Sequence, residues 1–274
     1  MRDLRYITGV IPNVLSIAGS DPSGGAGIQA DLKTFGALGC FGMAAITALT
    51  AQNTQGVAGI FTVPSAFVAA QIETLFADIR IDAIKIGMLG STEIVAAVAA
   101  CLRARPDIPV VVDPVLASTS GHALGSAEVG AAILRDLAPR ATLLTPNLGE
   151  AAALSGRAMA TGLADMEETG RALVSAGGRA VLVKGGHLDG DVTDMLCMAD
   201  GCQPFAGKRI ATRNTHGTGC TLSSAIAALL AQGAPLPDAV RRAKSWLEGA
   251  LASADRLDVG HGHGPVDHFH ALRG

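Results

Sequence analysis

Residues 13–38 read "NVLSIAGSDPSGGAGIQADLKTFGAL", and this stretch decides the fold. A short apolar run, NVLSIAG (13–19), enters a glycine-rich loop. The segment GIQADLKTFGAL (27–38) then places Ile28, Leu32, Phe35 and Leu38 at helical spacing, one apolar stripe. Strand, tight loop and helix in this order are the unit of an α/β sheet. The unit recurs outward along the chain. MAAITALT (43–50), AIKIG (83–87), IPVVVD (108–113), ATLLT (141–145) and AVLVKG (180–185) read as strands. Several are apolar without alternation, as parallel strands covered on both faces are. Helical patterns lie between them. One runs from Pro64 with Phe67, Ile72 and Phe76 on its apolar side, and others span 91–103, 126–137, 165–177, 219–232 and 236–254.

The spacing predicts an α/β fold, a doubly wound, mostly parallel central sheet with helices on both faces. GVAGIFTVP (56–64) reads as a small extra strand and 194–212 as a late hairpin. No linker or internal repeat divides the chain. A single domain over 13–274 behind a lead-in at 1–12 is therefore expected, with its ligand beyond the C-terminal strand ends.

Composition narrows the function. The 274 residues are 49% apolar and 16% charged, with 34 Gly and a net charge of −3. Such a chain can bury a full core. It carries no basic field for a polyanion; its one short basic cluster is RRAK (241–244), which argues against nucleic-acid binding. No apolar stretch approaches the roughly 20 residues of a membrane span, and the first residues do not read as a signal peptide. The five cysteines (Cys40, Cys101, Cys197, Cys202 and Cys220) form no close-spaced metal pattern, so reduced thiols and a cytoplasmic location are expected.

Two glycine-rich stretches carry the chemistry. AGSDPSGGAGIQAD (18–31) follows the first strand but has neither G-x-G-x-x-G nor a G-x-x-x-x-G-K-[ST] ending. Its Asp21 and Asp31 would repel a phosphate yet suit the donors of a neutral polar ligand. The plainer reading leaves Asp31 an exposed helix residue. The second stretch, NTHGTGC (214–220), opens the apolar helix TLSSAIAALLAQG. Gly217, Thr218 and Gly219 would aim free N–H groups at an anion, although Thr218 can also serve simply as a cap. Cys220 at that helix start is expected to have a lowered pKa, which suits a nucleophile or base. Asp113, Asn147 with Glu150, and Lys184 lie at three strand ends. Carboxylates suit Mg²⁺ and a lysine suits phosphate oxygens, so the set points to phosphoryl transfer.

The chain resembles the bacterial hydroxymethylpyrimidine/phosphomethylpyrimidine kinases of the ribokinase-like superfamily. The resemblance rests on AGSDPSGGAGIQADLKTF, TALTAQNT, KIGML, VVDPV, TPNLGEA, VLVKGGH, NTHGTGCTLS, AKSWL and VGHGHGPVDHF, in that order. It implies ATP-dependent phosphorylation of 4-amino-5-hydroxymethyl-2-methylpyrimidine to its monophosphate and then to its diphosphate, in thiamine diphosphate biosynthesis. It implies a pyrimidine held by Gly19, Ala26, Asp31, Gln52, Met88, Val115 and His216, with Asp31 reading the ring amine. ATP would meet Asp113, Asn147, Glu150, Lys184, Thr215 and Lys244, and Mg²⁺ would meet Asp113 and Glu150. Cys220 would be the base within the anion loop Gly217–Cys220, with Lys184 on the phosphates. A homodimer is implied on the same ground.

Two competitors share parts of this pattern: a pyridoxal kinase of the same superfamily, and a non-catalytic pyrimidine-binding sensor. QADLKTF and AQNT favour the aminopyrimidine over pyridoxal, and intact Lys184, Glu150 and GTGC oppose the sensor. The four histidines of the tail (His261, His263, His268, His270) raise a metal question, against which a closing segment is the expected role.

Overall fold

The computed structural model describes residues 9–116, 125–186, 188, 190 and 192–273. Most of the 1–12 lead-in therefore lies outside the described residues.

The first unit forms as the sequence predicts: β1 (Asn13–Ser20), a glycine loop, then α1 (Gly27–Ala37). β2 (Phe41–Asn53) and β3 (Gly56–Thr62) form an antiparallel hairpin, so the small extra strand is real. Next come α2 (Ser65–Asp78), β4 (Ala83–Ile86), α3 (Thr92–Leu102), β5 (Val110–Val112) and α4 (Ala127–Ala132), which runs on into a π-helical turn over Ile133–Leu137. β6 (Leu143–Leu144), α5 (Leu148–Ser155), α6 (Leu163–Ser175) and β7 (Ala180–Val183) follow. The late hairpin is β8 (Val192–Met198) and β9 (Gly201–Gly207), and α7 (Thr218–Ala231) and α8 (Leu236–Ala252) close the fold. The sheet order is β3-β2-β1-β4-β5-β6-β7-β8-β9, with parallel pairing from β2 to β7 and antiparallel hairpins at both edges.

Alternation along the strands sorts two cores. Leu15, Ile17, Ile84, Ile86, Val110, Val112, Leu144, Val181 and Val183 pack on the side of α2, α3 and α6. Val14, Ala83, Val111, Leu143, Ala180 and Leu182 face the other side, with Phe35, Ile226 and Val240. Burying each large apolar side chain is worth about 1.5–3 kcal/mol. Helix α7 is buried at every position from Thr221 to Ala231, which explains its alanines: it lies between the sheet and its neighbours α1 and α8.

Two expectations fail. Phe67 does not supply the apolar side of α2; it is exposed, and Val68, one position round the helix, is buried beside the expected Ile72. The thiols are not all reduced. The β8–β9 register sets Cys197 directly opposite Cys202, Cα atoms 4.1 Å apart, and the two form a disulfide. Among the described residues, no helix is long and apolar enough to cross a membrane.

Candidate active site

The start of α7 has no side-chain cap. Gly217 precedes it in the left-handed region (φ 77°), where a side chain would be strained and would collide with the Gly25 carbonyl oxygen. Thr218 turns back on the loop: its N–H and Oγ1 donate to Thr215 O at 3.2 and 2.6 Å. Thr221 N–H closes the first helical bond to Gly217 O at 2.8 Å. The amides of Gly219 and Cys220 are thus the first-turn donors that a helix start leaves for an anion. A Cβ on Gly219 would lie 3.1 Å from Lys184 Nζ and 3.7 Å from Asp113 Oδ2. The bare backbone leaves the Lys184 ammonium its place; a Cβ here would require it to give by a few tenths of an ångström.

Asp113 follows β5 and Lys184 follows β7. Lys184 Nζ donates to Asp113 Oδ1 at 2.7 Å and lies 4.0 Å from Glu150. Thr145 Oγ1 (3.1 Å) and Ser223 Oγ (3.4 Å) also donate to Asp113. Burial pushes the Asp113 carboxyl up, but Lys184 and Lys85 outweigh it and hold the pKa below the ordinary value. Glu150 goes the other way, to about 7: burial and the Asp113 charge overcome Lys184. Asn147 and Glu150 form a capping box at α5. Asn147 Oδ1 accepts Glu150 N–H at 2.9 Å, and Glu150 Oε2 accepts Asn147 N–H at 2.8 Å. The box aims the Glu150 carboxylate toward Lys184.

Asp31 is the main correction. It is neither an exposed helix residue nor open to a ligand. At 0% exposure its carboxylate takes Lys85 Nζ on both oxygens at 2.9 Å, Ser16 Oγ at 2.6 Å and Ser224 Oγ at 2.6 Å. Each oxygen already accepts two hydrogen bonds, so the carboxylate has nothing left for a ring amine. Cys220 is partly exposed at the end of this cluster. Its thiol is not activated as expected. Burial, with Asp31 and Asp113, pushes it up to about 11 against the opposing effects of Lys85 and the Gly27 N–H.

The first loop closes on the second. Asp21 Oδ1 accepts Ser23 N–H and Oγ, and Oδ2 accepts Ala26 N–H at 2.8 Å. His216 Nε2 lies 2.8 Å from Asp21 Oδ2 and 3.4 Å from Gln52 Nε2. Gly19 is buried against Met88, whose Sδ would lie 3.4 Å from an added Cβ. Val115, two residues past Asp113, is partly exposed. A depression of about 530 Å³ opens between Pro22 and the β2–β3 hairpin at Gln52 and Val57. Of the residues expected to hold a pyrimidine, Gln52 lines this depression, Ala26 and His216 are joined to it through Asp21, and Gly19 meets Met88.

Lys244 is not free for phosphates. Its ammonium is buried on Asp194 at 2.6 Å, and Asp194 also accepts Gly185 N–H at 2.9 Å. Of the tail histidines, His268 and His270 pack against the fold, whereas His261 and His263 are exposed. His268 lies 3.1 Å from Thr221 Oγ1, and burial with the Lys33 charge lowers its pKa to about 4. His270 packs on Trp246, and His263 sits by Arg213 O. No group of three or more potential metal-ligating residues occurs among the described residues. Sequence reasoning missed Asp21 as a latch, and Lys85, Ser16 and Ser224 as partners of Asp31. Lys85 in an otherwise apolar strand was the available signal, because a buried lysine needs a carboxylate.

An α/β sheet with an anion-ready helix start over a carboxylate–lysine pair defines a phosphoryl-transfer architecture. The comparisons make it specific: the phosphomethylpyrimidine kinase model matches residues 21–267, and the chain belongs to that family. It is 54% identical over 94% of its length to a hydroxymethylpyrimidine/phosphomethylpyrimidine kinase of Escherichia coli (strain K12), covering 98% of it. The Rhizobium meliloti (strain 1021) enzyme of that name is 52% identical, with 93% and 96% covered. Among solved structures, Bacillus subtilis pyridoxal kinase in an ADP complex superposes with a TM-score of 0.89 at 33% identity, covering 97% of this chain and all of that one. Clostridium difficile 630 phosphomethylpyrimidine kinase gives 0.78 at 40%, covering 88% and 99%.

Proposed function

We propose that this chain transfers the γ-phosphoryl of ATP to hydroxymethylpyrimidine and then to its monophosphate, as a step toward thiamine diphosphate. The observation that carries the reading is Gly219: its bare backbone sets an anion-binding helix start against the Asp113–Lys184 pair. Identity of 52–54% to kinases of this name supports the choice of substrate. Within the loop Gly217–Cys220, the amides of Gly219 and Cys220 would stabilise charge on the transferring phosphoryl, and Lys184 would meet its oxygens. Asp113 and Glu150 are hard oxygen donors suited to Mg²⁺, which takes one or two carboxylates plus substrate phosphates and would neutralise their charge. Asn147 caps the helix that carries Glu150, and Thr215 anchors the turn before the amides. Lys244 would act on the nucleotide side only through Asp194 and Gly185. Gly19, Ala26, Gln52, Met88, Val115 and His216 would hold the pyrimidine.

Cys220 is assigned the proton of the hydroxymethyl group. The phosphate acceptor needs no such base, since its second pKa is about 6. A thiol near 11 accepts a proton only as thiolate, whose fraction grows tenfold per pH unit below that value. The first phosphorylation should therefore rise from pH 7 to pH 10 more steeply than the second. Cys220→Ser should depress the first step more than the second and flatten its pH profile. Separate mono- and diphosphate progress curves with Mg²⁺ and ATP test this; equal losses in both steps would remove Cys220 from the role. Pyridoxal kinase is the second reading, favoured by the backbone match to those structures. Side-by-side kcat/KM for pyridoxal and hydroxymethylpyrimidine separates the two.

A further inference from the structure

The proposed reaction uses Cys220 but leaves unexplained the charged cluster beneath it. Ser16 and Lys85 are register partners on the parallel strands β1 and β4, and both point to the α7 face. That face is otherwise apolar at Val14, Val111 and Leu182. Lys85 and Asp31 are each 0% exposed, so two full charges are held at the centre of the molecule. Ser224 binds Asp31 and lies four residues after Cys220, so the two side chains share one face of α7. The pair is therefore buried one helical turn below the thiol.

We propose that the sealed Lys85–Asp31 pair is the charge-setting and positioning element for Cys220, with Lys85 favouring the thiolate and Asp31 opposing it. A buried cation and anion act strongly across a few ångströms of protein, and screening by salt is weak there. The other groups acting on the sulfur are Asp113 at the end of β5, Lys184 at the end of β7 and the Gly27 N–H at the start of α1. Of these, Lys184 is 14% exposed at its strand end, so its pairing with the buried Asp113 can change when ligands bind. Lys85 and Asp31 cannot, so they set the fixed part of the field. Keeping both ions leaves the thiol largely protonated at rest while retaining a cation to favour the thiolate. The assignment extends the role of Cys220 as base, but its test reads the thiol directly and does not depend on kinase turnover.

The measurement is the rate of iodoacetamide alkylation of Cys220 against pH, read by mass spectrometry on the peptide containing it, in folded full-length protein. Lys85→Gln should slow alkylation at pH 8 by about tenfold, one pKa unit. Asp31→Asn should speed it. A role confined to packing would loosen the site and move both variants in the same direction. The double variant K85Q/D31N carries no unpaired buried charge, which guards against loss of fold in D31N. Adding D31N to K85Q should restore part of the lost rate. The proposal is overturned if K85Q alkylates no more slowly than wild type, or if D31N fails to accelerate alkylation in both backgrounds. Failure of Cys220 as base would appear separately, as normal thiol shifts with unchanged phosphorylation kinetics.

Discussion

Two lysine–carboxylate pairs lie on neighbouring parts of the same sheet, and they do opposite things. Lys85–Asp31 is sealed, with both side chains at 0% exposure and two serine hydroxyls completing the carboxylate. Lys184–Asp113 has a comparable distance, 2.7 Å, but stands at the strand ends, with Lys184 14% exposed and a helix start beside it. The chemistry of the residues is the same; the depth along the strand differs. A pair whose lysine lies two registers below Asp113 and whose carboxylate comes from α1 organises the core. A pair at the edge can exchange one of its contacts for a ligand.

The comparison breaks if the two lysines respond alike to removal. Lys85→Ala leaves a buried carboxylate uncompensated and should cost about 3–5 kcal/mol, seen as a lowered urea midpoint. Lys184→Ala should cost much less stability, because water can enter at the mouth. It should instead lower kcat about 10²–10³-fold, the scale of losing one preorganised transition-state donor. Comparable destabilisation by both variants would mean that Lys184 is structural too.

The strand–helix order, the small extra strand, the late hairpin and the anion-ready helix start were legible in the sequence, because each is written in local periodicity or in glycine placement. The roles of the two aspartates were not. Asp31 looked like a ligand contact because it follows a glycine loop. What sealed it is Lys85, 54 residues away in sequence, and Ser224, 193 away. Non-local pairing leaves no mark on spacing. The thiol of Cys220 was misread for a related reason: the helix-start effect is local and visible, whereas burial and the charges of Asp31 and Asp113 come from the tertiary fold. Phe67 failed more simply, since one 100° step decides which of two adjacent apolar residues is inside.

A third carboxylate sharpens the contrast, because Asp21 is buried on a histidine and amides instead of a lysine. Burial pushes its carboxyl up, but the His216 and Ser23 contacts prevail and bring it from 3.8 to about 2. A depressed folded pKa contributes stability above the unfolded value, and the contribution is lost as pH falls through the folded one. The shift corresponds to about 2 kcal/mol. Asp21→Asn should therefore be less stable than wild type by about that amount at pH 6. The difference should shrink as pH falls from about 4 and vanish only below about pH 2. Urea unfolding of both proteins across that range checks it; a constant difference would place the effect in packing rather than charge.

The smallest change tests the open pair most directly. Gly219 lies in the first turn of α7, where alanine is the better helix former by up to about 1 kcal/mol. Gly219→Ala should therefore leave the melting temperature unchanged or slightly raised. The added Cβ would sit 3.1 Å from Lys184 Nζ, so the flexible ammonium has to move by a few tenths of an ångström. It would also cover the amides offered to the phosphoryl group. We expect kcat to fall about tenfold, equivalent to about 1.4 kcal/mol, with no loss of stability. A fold made firmer and a reaction made slower by the same methyl group would separate positioning of the phosphoryl group from support of the core. If kcat is unchanged, the close approach of α7 to Lys184 is incidental to catalysis.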